Sequence, residues 1–206
     1  MNTRVILLAF AASLTCAAPQ AVAYEQLPHG LARLSPADFA RAVSISKQSD
    51  SITVLSTQDG YTRSRAAQGA RAEDVHFRAV IDERNGKVSW QVWHRLVHTW
   101  RRMDIRAIRY ELGGAIRTIA PKLVEHGTDH CPPTDGVGSC NTTVDVMFEL
   151  PEDAIREMAS NHREDTRNAW RLWFVMMDGA EIVSGIAPAE AAGLIHAYES
   201  WRHRPS

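Results

Sequence analysis

The stretch HGTDHCPPTDGVGSCNTT, from His126 to Thr143, brings His126, His130, Cys131 and Cys140 together in one glycine-rich segment. These side chains support three chemistries. Thiolates and imidazoles are ligands that zinc or copper accepts. A thiolate beside an imidazole is a nucleophile with its base. Two thiols can also close a disulfide. The metal reading uses His126 and His130 with the two cysteines. Its spacing is poor, because Cys131 and Cys140 are separated by eight residues where a zinc knuckle has about two to four. His130 also adjoins Cys131, which splays their side chains on extended backbone. No metal or other cofactor is expected.

The staple accounts for most of the segment. Cys131 and Cys140 are an even pair, Pro132-Pro133 stiffens the entry, and Gly136 and Gly138 permit a reversal. A Cys131–Cys140 disulfide closing this short loop would contribute about 2.7 kcal/mol in the chain-entropy model. That is a useful fraction of a typical total of about 5 to 15 kcal/mol.

The nucleophile reading pairs Cys140 with His126 as base. His126-Gly127-Thr128 followed by Cys140 resembles the L,D-transpeptidases, a periplasmic family that crosslinks peptidoglycan with a cysteine and a histidine. The resemblance covers this segment alone and implies a peptidoglycan-active enzyme. In that family Ser or Thr and then His-Gly stand immediately before the cysteine, usually with an arginine shortly after it. Here Ser139 abuts Cys140, and Asn141-Thr142-Thr143 follow.

The N-terminus bears on which chemistry is available. Arg4 precedes the apolar run VILLAFAASL, and Ala21-Val22-Ala23 places small residues where signal peptidase reads. Residues 1–23 are expected to be a signal peptide, cleaved after Ala23, leaving a periplasmic or secreted chain in which disulfides persist. No segment after it is apolar and long enough to span a bilayer, so the mature chain is expected to be soluble and without a transmembrane anchor. Lys and Arg total 23 against 24 Asp and Glu. That balance gives no electrostatic reason to expect nucleic acid as a partner. No Walker loop, dinucleotide fingerprint, nucleophile elbow or His-Glu zinc-protease motif is present.

The elements that would position these residues read as follows. Ser35, Pro36 and Asp38 form a capping pattern for a short helix, and Ser51–Thr57 reads as a strand. Residues 62–74 are polar and aperiodic, and are expected to form a loop. Asn85-Gly86, Gly113-Gly114 and Asp178-Gly179 each lie between β-rich runs and predict three hairpins. Val144, Val146 and Phe148 alternate with polar or weaker residues as in a half-buried strand, and Pro151 then opens a helix. The closing helix carries Ala191, Leu194, Ile195, Tyr198 and Trp201 on one stripe. The expected fold is therefore α+β, with a mainly antiparallel sheet of hairpins, a short N-terminal helix and two helices in the C-terminal half. The expected division is residues 24–74 as an N-terminal helix, strand and loop, and residues 75–206 as the main domain.

His94 and His98 share a strand face about 13 Å apart at about 3.3 Å per residue, too far for one ion, and are expected on a surface or sheet face. On the opposite face Trp93 and Arg95 form a candidate binding face for a glycan or a protein of the envelope. Together these features point to an exported binding or assembly module with one structural disulfide, and the Cys140 and His126 enzyme is the alternative.

Overall fold

A computed structural model describes residues 26–58, 65–67, 70–99, 103–127 and 141–203. Residues 1–23, His130, Cys131 and Cys140 lie outside the described residues. In chain order the elements are α1 (His29–Ala32), α2 (Pro36–Ala42), β1 (Ser44–Ser49), β2 (Ile52–Ser56), β3 (Arg65–Ala67), β4 (Ala70–Asp82), β5 (Lys87–Thr99), β6 (Ile105–Leu112), β7 (Ala115–Ile119), β8 (Leu123–His126), β9 (Asn141–Leu150), α3 (Glu152–Ser160), β10 (Trp170–Met176), β11 (Glu181–Ile186) and α4 (Pro188–Arg202).

Glycine turns make the hairpins. Gly86, Gly113, Gly114 and Gly179 have φ of +69°, +59°, +74° and +85°, backbone that a Cβ disfavours. They join β4 to β5, β6 to β7 and β10 to β11 at the three places the sequence predicts. The strands form two antiparallel sheets. The larger runs β1-β2-β4-β5-β9-β8 with β3 also paired to β4, and the smaller runs β11-β10-β6-β7. With the four helices among the described residues this is an α+β fold.

Side-chain alternation decides how the sheets pack. On the inner face of the larger sheet β4 presents Val75, Phe77, Ala79 and Ile81, β5 presents Trp90, Val92 and Leu96, and β9 presents Val144, Val146, Phe148 and Leu150. The smaller sheet answers with Ile108, Tyr110, Leu172, Phe174 and Ile182, all in the same buried cluster. Phe174 meets Phe148 edge-on across the gap at 6.3 Å, an arrangement aromatic rings favour. At the end of this sandwich α3 adds Ala154, Ile155 and Met158, and α4 adds Ala191, Leu194, Ile195 and Tyr198.

A smaller cluster of Leu27, Leu31, Phe39, Ala187 and Ala189 fastens α1 and α2 to the start of α4. The capping pattern at Ser35 forms in full. The Ser35 hydroxyl accepts from the Asp38 amide at 3.2 Å, and the Asp38 carboxylate accepts from the Ser35 amide at 2.9 Å. Gly193 lets the two helices approach closely, since a Cβ there would come within 2.4 Å of Phe39 Cβ and 2.8 Å of the Pro36 carbonyl oxygen.

Several local features differ from the sequence reading. The expected loop at 62–74 supplies β3 and the start of β4 among its described residues. The far half of β5 offers backbone donors and acceptors as far as His98, and Ala70, Arg71, Ala72 and Asp74 pair with it despite their polar neighbourhood, with a bulge between Ala72 and Asp74. β1 carries one isoleucine among polar residues and is mostly exposed, so it has no apolar alternation to read. β8 is four residues long and is defined by its pairing with β9. Of the two places expected for His94, a surface or a sheet face, it takes the sheet face, on the inner side at 2% exposure.

Candidate functional site: the outer face of the large sheet

The alternation that buries one face of β4, β5 and β9 presents the other outward. Antiparallel register then sets its residues in rows. His76, Trp93, Met147 and Leu123 are successive partners across β4, β5, β9 and β8. Arg78, Gln91 and Glu149 form a second row, and Arg95, Asp145 and Glu125 a third. Trp93 lies at the centre of this face, partly exposed, on a strand whose opposite face is core.

Its neighbours fix the indole. The His76 ring lies nearly parallel to it, with planes 7° apart and centroids 6.1 Å apart. The Arg78 guanidinium carbon stands 4.5 Å from the ring centroid, a cation–π distance. The indole N–H donates to Gln91 Oε1 at 3.2 Å. Arg78 is itself held, since its Nη2 donates to Gln58 Oε1 at 2.9 Å. The ring therefore has few orientations left before any ligand arrives.

Polar groups surround it. Arg95 donates from Nε and Nη2 to the two oxygens of Asp145, each at 2.7 Å, a bidentate pair. The Ser89 hydroxyl donates to Glu149 Oε1 at 2.5 Å. Both pairs are largely exposed, so they add little to stability. Each still has unused acceptor capacity, because a carboxylate has about four lone-pair sites. Trp93 and Arg95, the candidate binding face of the sequence, thus share one face as an ordered ring and a fixed fork. Arg78, His76, Gln91, Asp145 and Glu149 carry no signal of their own in the sequence; strand pairing brings them alongside.

His126 stands at the end of β8, partly exposed. Its Nε2 lies 3.1 Å from the Met103 carbonyl oxygen and 3.3 Å from Asp104 Oδ1. Among the described residues no group of three or more His, Cys, Asp or Glu side chains converges as a metal site.

One buried pair has the spacing of a nucleophile and its base. His94 Nε2 lies 2.7 Å from Ser184 Oγ. Ser184 has no exposed surface, and the edge of His94 meets Phe174 with centroids 4.9 Å apart. The hydroxyl is enclosed between the two sheets, and the pair serves to hydrogen-bond polar groups inside the core. Sequence reasoning missed it because Ser184 lies in an apolar strand with no motif around it. Scanned against protein-family models, curated proteins and solved structures, the chain matches none.

Proposed function

We propose that the protein is an exported, non-catalytic binding module of the cell envelope, and that the outer face around Trp93 binds a glycan. The observation that carries this reading is the held indole of Trp93 within rows of hydrogen-bonding side chains. A sugar ring offers C–H groups on one face, which stack on an aromatic surface, and hydroxyls at its rim, which take amide, guanidinium and carboxylate partners. Trp93 supplies the first. Gln91, Arg95, Asp145 and Glu149 supply the second. Because the ring is already ordered, binding loses little further side-chain entropy. In the same reading residues 1–23 are a cleaved signal peptide, and Cys131 and Cys140 are joined as a structural disulfide.

The test is co-sedimentation of the mature chain with purified peptidoglycan sacculi. Saturable binding is expected, weakened on the order of tenfold or more in Trp93→Leu and also weakened in Gln91→Ala, with melting temperatures near the parent's. Binding that is absent, or unchanged in both variants, overturns the reading.

One observation favours the alternative, a peptidoglycan-active enzyme with Cys140 as nucleophile. The contact of His126 with Asp104 resembles a base held by an orienting carboxylate. Intact mass after thiol alkylation separates the two. The binding module predicts no alkyl group before reduction and two after it, whereas the enzyme requires a free Cys140.

A further inference from the structure

A concave surface lies where the β4–β5 hairpin meets α3 and α4. A cleft of about 720 Å³ there is lined by Ile81, Val88, Lys87, Tyr198, Trp201 and Arg202, among others. A series of rings leads into it from the core. Buried Trp90 meets Tyr198 edge-on at 5.3 Å, and Tyr198 stacks on Trp201 at 6.4 Å with planes 23° apart. Trp201 is the last ring of the series, and it is half-buried at the cleft.

The charges around the cleft divide into two groups. Arg156, which lines it, donates to Glu152 at 2.8 Å and to Glu199 at 3.3 Å. Glu83 pairs with Lys47 at 3.6 Å and accepts from the Thr53 hydroxyl. These groups have partners. Lys87 and Arg202 are exposed and make no ion pair among the described residues. The cleft thus combines an aromatic wall with two cations that have no ion-pair partner among the described residues. Its two lining carboxylates, Glu83 and Glu152, already have cationic partners, and they disfavour a ligand of high negative charge.

We propose that this cleft binds a small aromatic monocarboxylate, with the ring stacked on Trp201 and the carboxylate taken by Lys87 and Arg202. A flat ring continues the Trp90, Tyr198 and Trp201 series. A single carboxylate matches the two cations, and the guanidinium can hold it through two hydrogen bonds. The site shares no residue with the Trp93 face and stands or falls independently of it.

The experiment is calorimetric titration of the full mature chain with 2-naphthoate and with the neutral 2-naphthalenemethanol, at low and at moderate salt. Saturable binding of 2-naphthoate is expected, about tenfold or more tighter than the neutral analogue and weaker with added salt. The double variant Lys87→Gln, Arg202→Gln alters two exposed side chains and should retain the parent's melting temperature while losing the preference for the anion. Trp201→Leu should weaken both ligands. Absence of saturable heat, equal affinity for the two ligands, or an anion preference that survives the double substitution would overturn the proposal.

Discussion

His94 Nε2 lies 2.7 Å from Ser184 Oγ, and the bond joins the central strand of one sheet to the edge strand of the other inside the core. Both side chains are buried, so removing one leaves the other's polar atom without this partner and away from water. Ser184→Ala should destabilise the protein by about 1 to 3 kcal/mol in urea unfolding. The double variant His94→Phe, Ser184→Ala removes both polar groups and should recover much of that loss. A double variant no better than the sum of the singles would show that the bond does not couple the sheets.

Thr57 makes a second buried polar connection. Its hydroxyl donates to Glu190 Oε1 at 2.7 Å and accepts from the Phe77 amide at 2.9 Å. One side chain thereby links the large sheet to the first turn of α4. Thr57→Val keeps the shape and loses both bonds, and should cost about 2 kcal/mol or more. Thr57→Ser keeps the hydroxyl and should cost clearly less. Thr57→Val as stable as the parent would show that the two bonds contribute nothing, and a larger loss in Thr57→Ser than in Thr57→Val would assign the site's contribution to the methyl group's packing.

Gly193 is where α2 meets α4. An added methyl would overlap Phe39 Cβ and the Pro36 carbonyl, and backbone on one side cannot swing away as a flexible side chain can. Gly193→Ala should therefore lower stability by about 1 to 3 kcal/mol, although alanine favours an isolated helix. A melting temperature at or above the parent's would contradict the close approach.

The capping box at α2 gives a pH signature. The Asp38 carboxyl is held below its ordinary range, first by the Ser35 hydroxyl and then by the Ser35 amide. A depressed folded value means stability that is present above the unfolded-state pKa and lost as pH falls through the folded one. Ser35→Ala should cost about 1 kcal/mol near neutral pH. That difference should narrow from about pH 4 downward, as read in melts taken across the acid range. A difference independent of pH would show that the carboxylate takes no part.

Much of this fold was legible because a few residues act locally. Gly86, Gly113-Gly114 and Gly179 set the hairpins through backbone freedom, and Ser35 with Asp38 sets a helix start through two hydrogen bonds. The alternation in β9 and the stripe of α4 report which face is core. What was hidden depends on pairing. β3 takes its form from β4 and the start of β4 from β5, and β8 is too short to show a period. The candidate site was half legible for the same reason: Trp93 and Arg95 share a face by the two-residue period of one strand. Their neighbours His76, Arg78 and Asp145 join them through strand register, which one strand's sequence does not contain. Ser184 was invisible because its partner lies ninety residues away in the chain.

Glycan binding at Trp93 can be followed at its indole N–H by ¹⁵N NMR, assigned with Trp93→Phe, while a tetramer of N-acetylglucosamine is added. On binding, the Trp93 signal is expected to shift saturably while that of buried Trp170 stays in place. Saturable binding that moves other indole signals and leaves Trp93 unshifted, or no binding at all, would contradict glycan binding at Trp93.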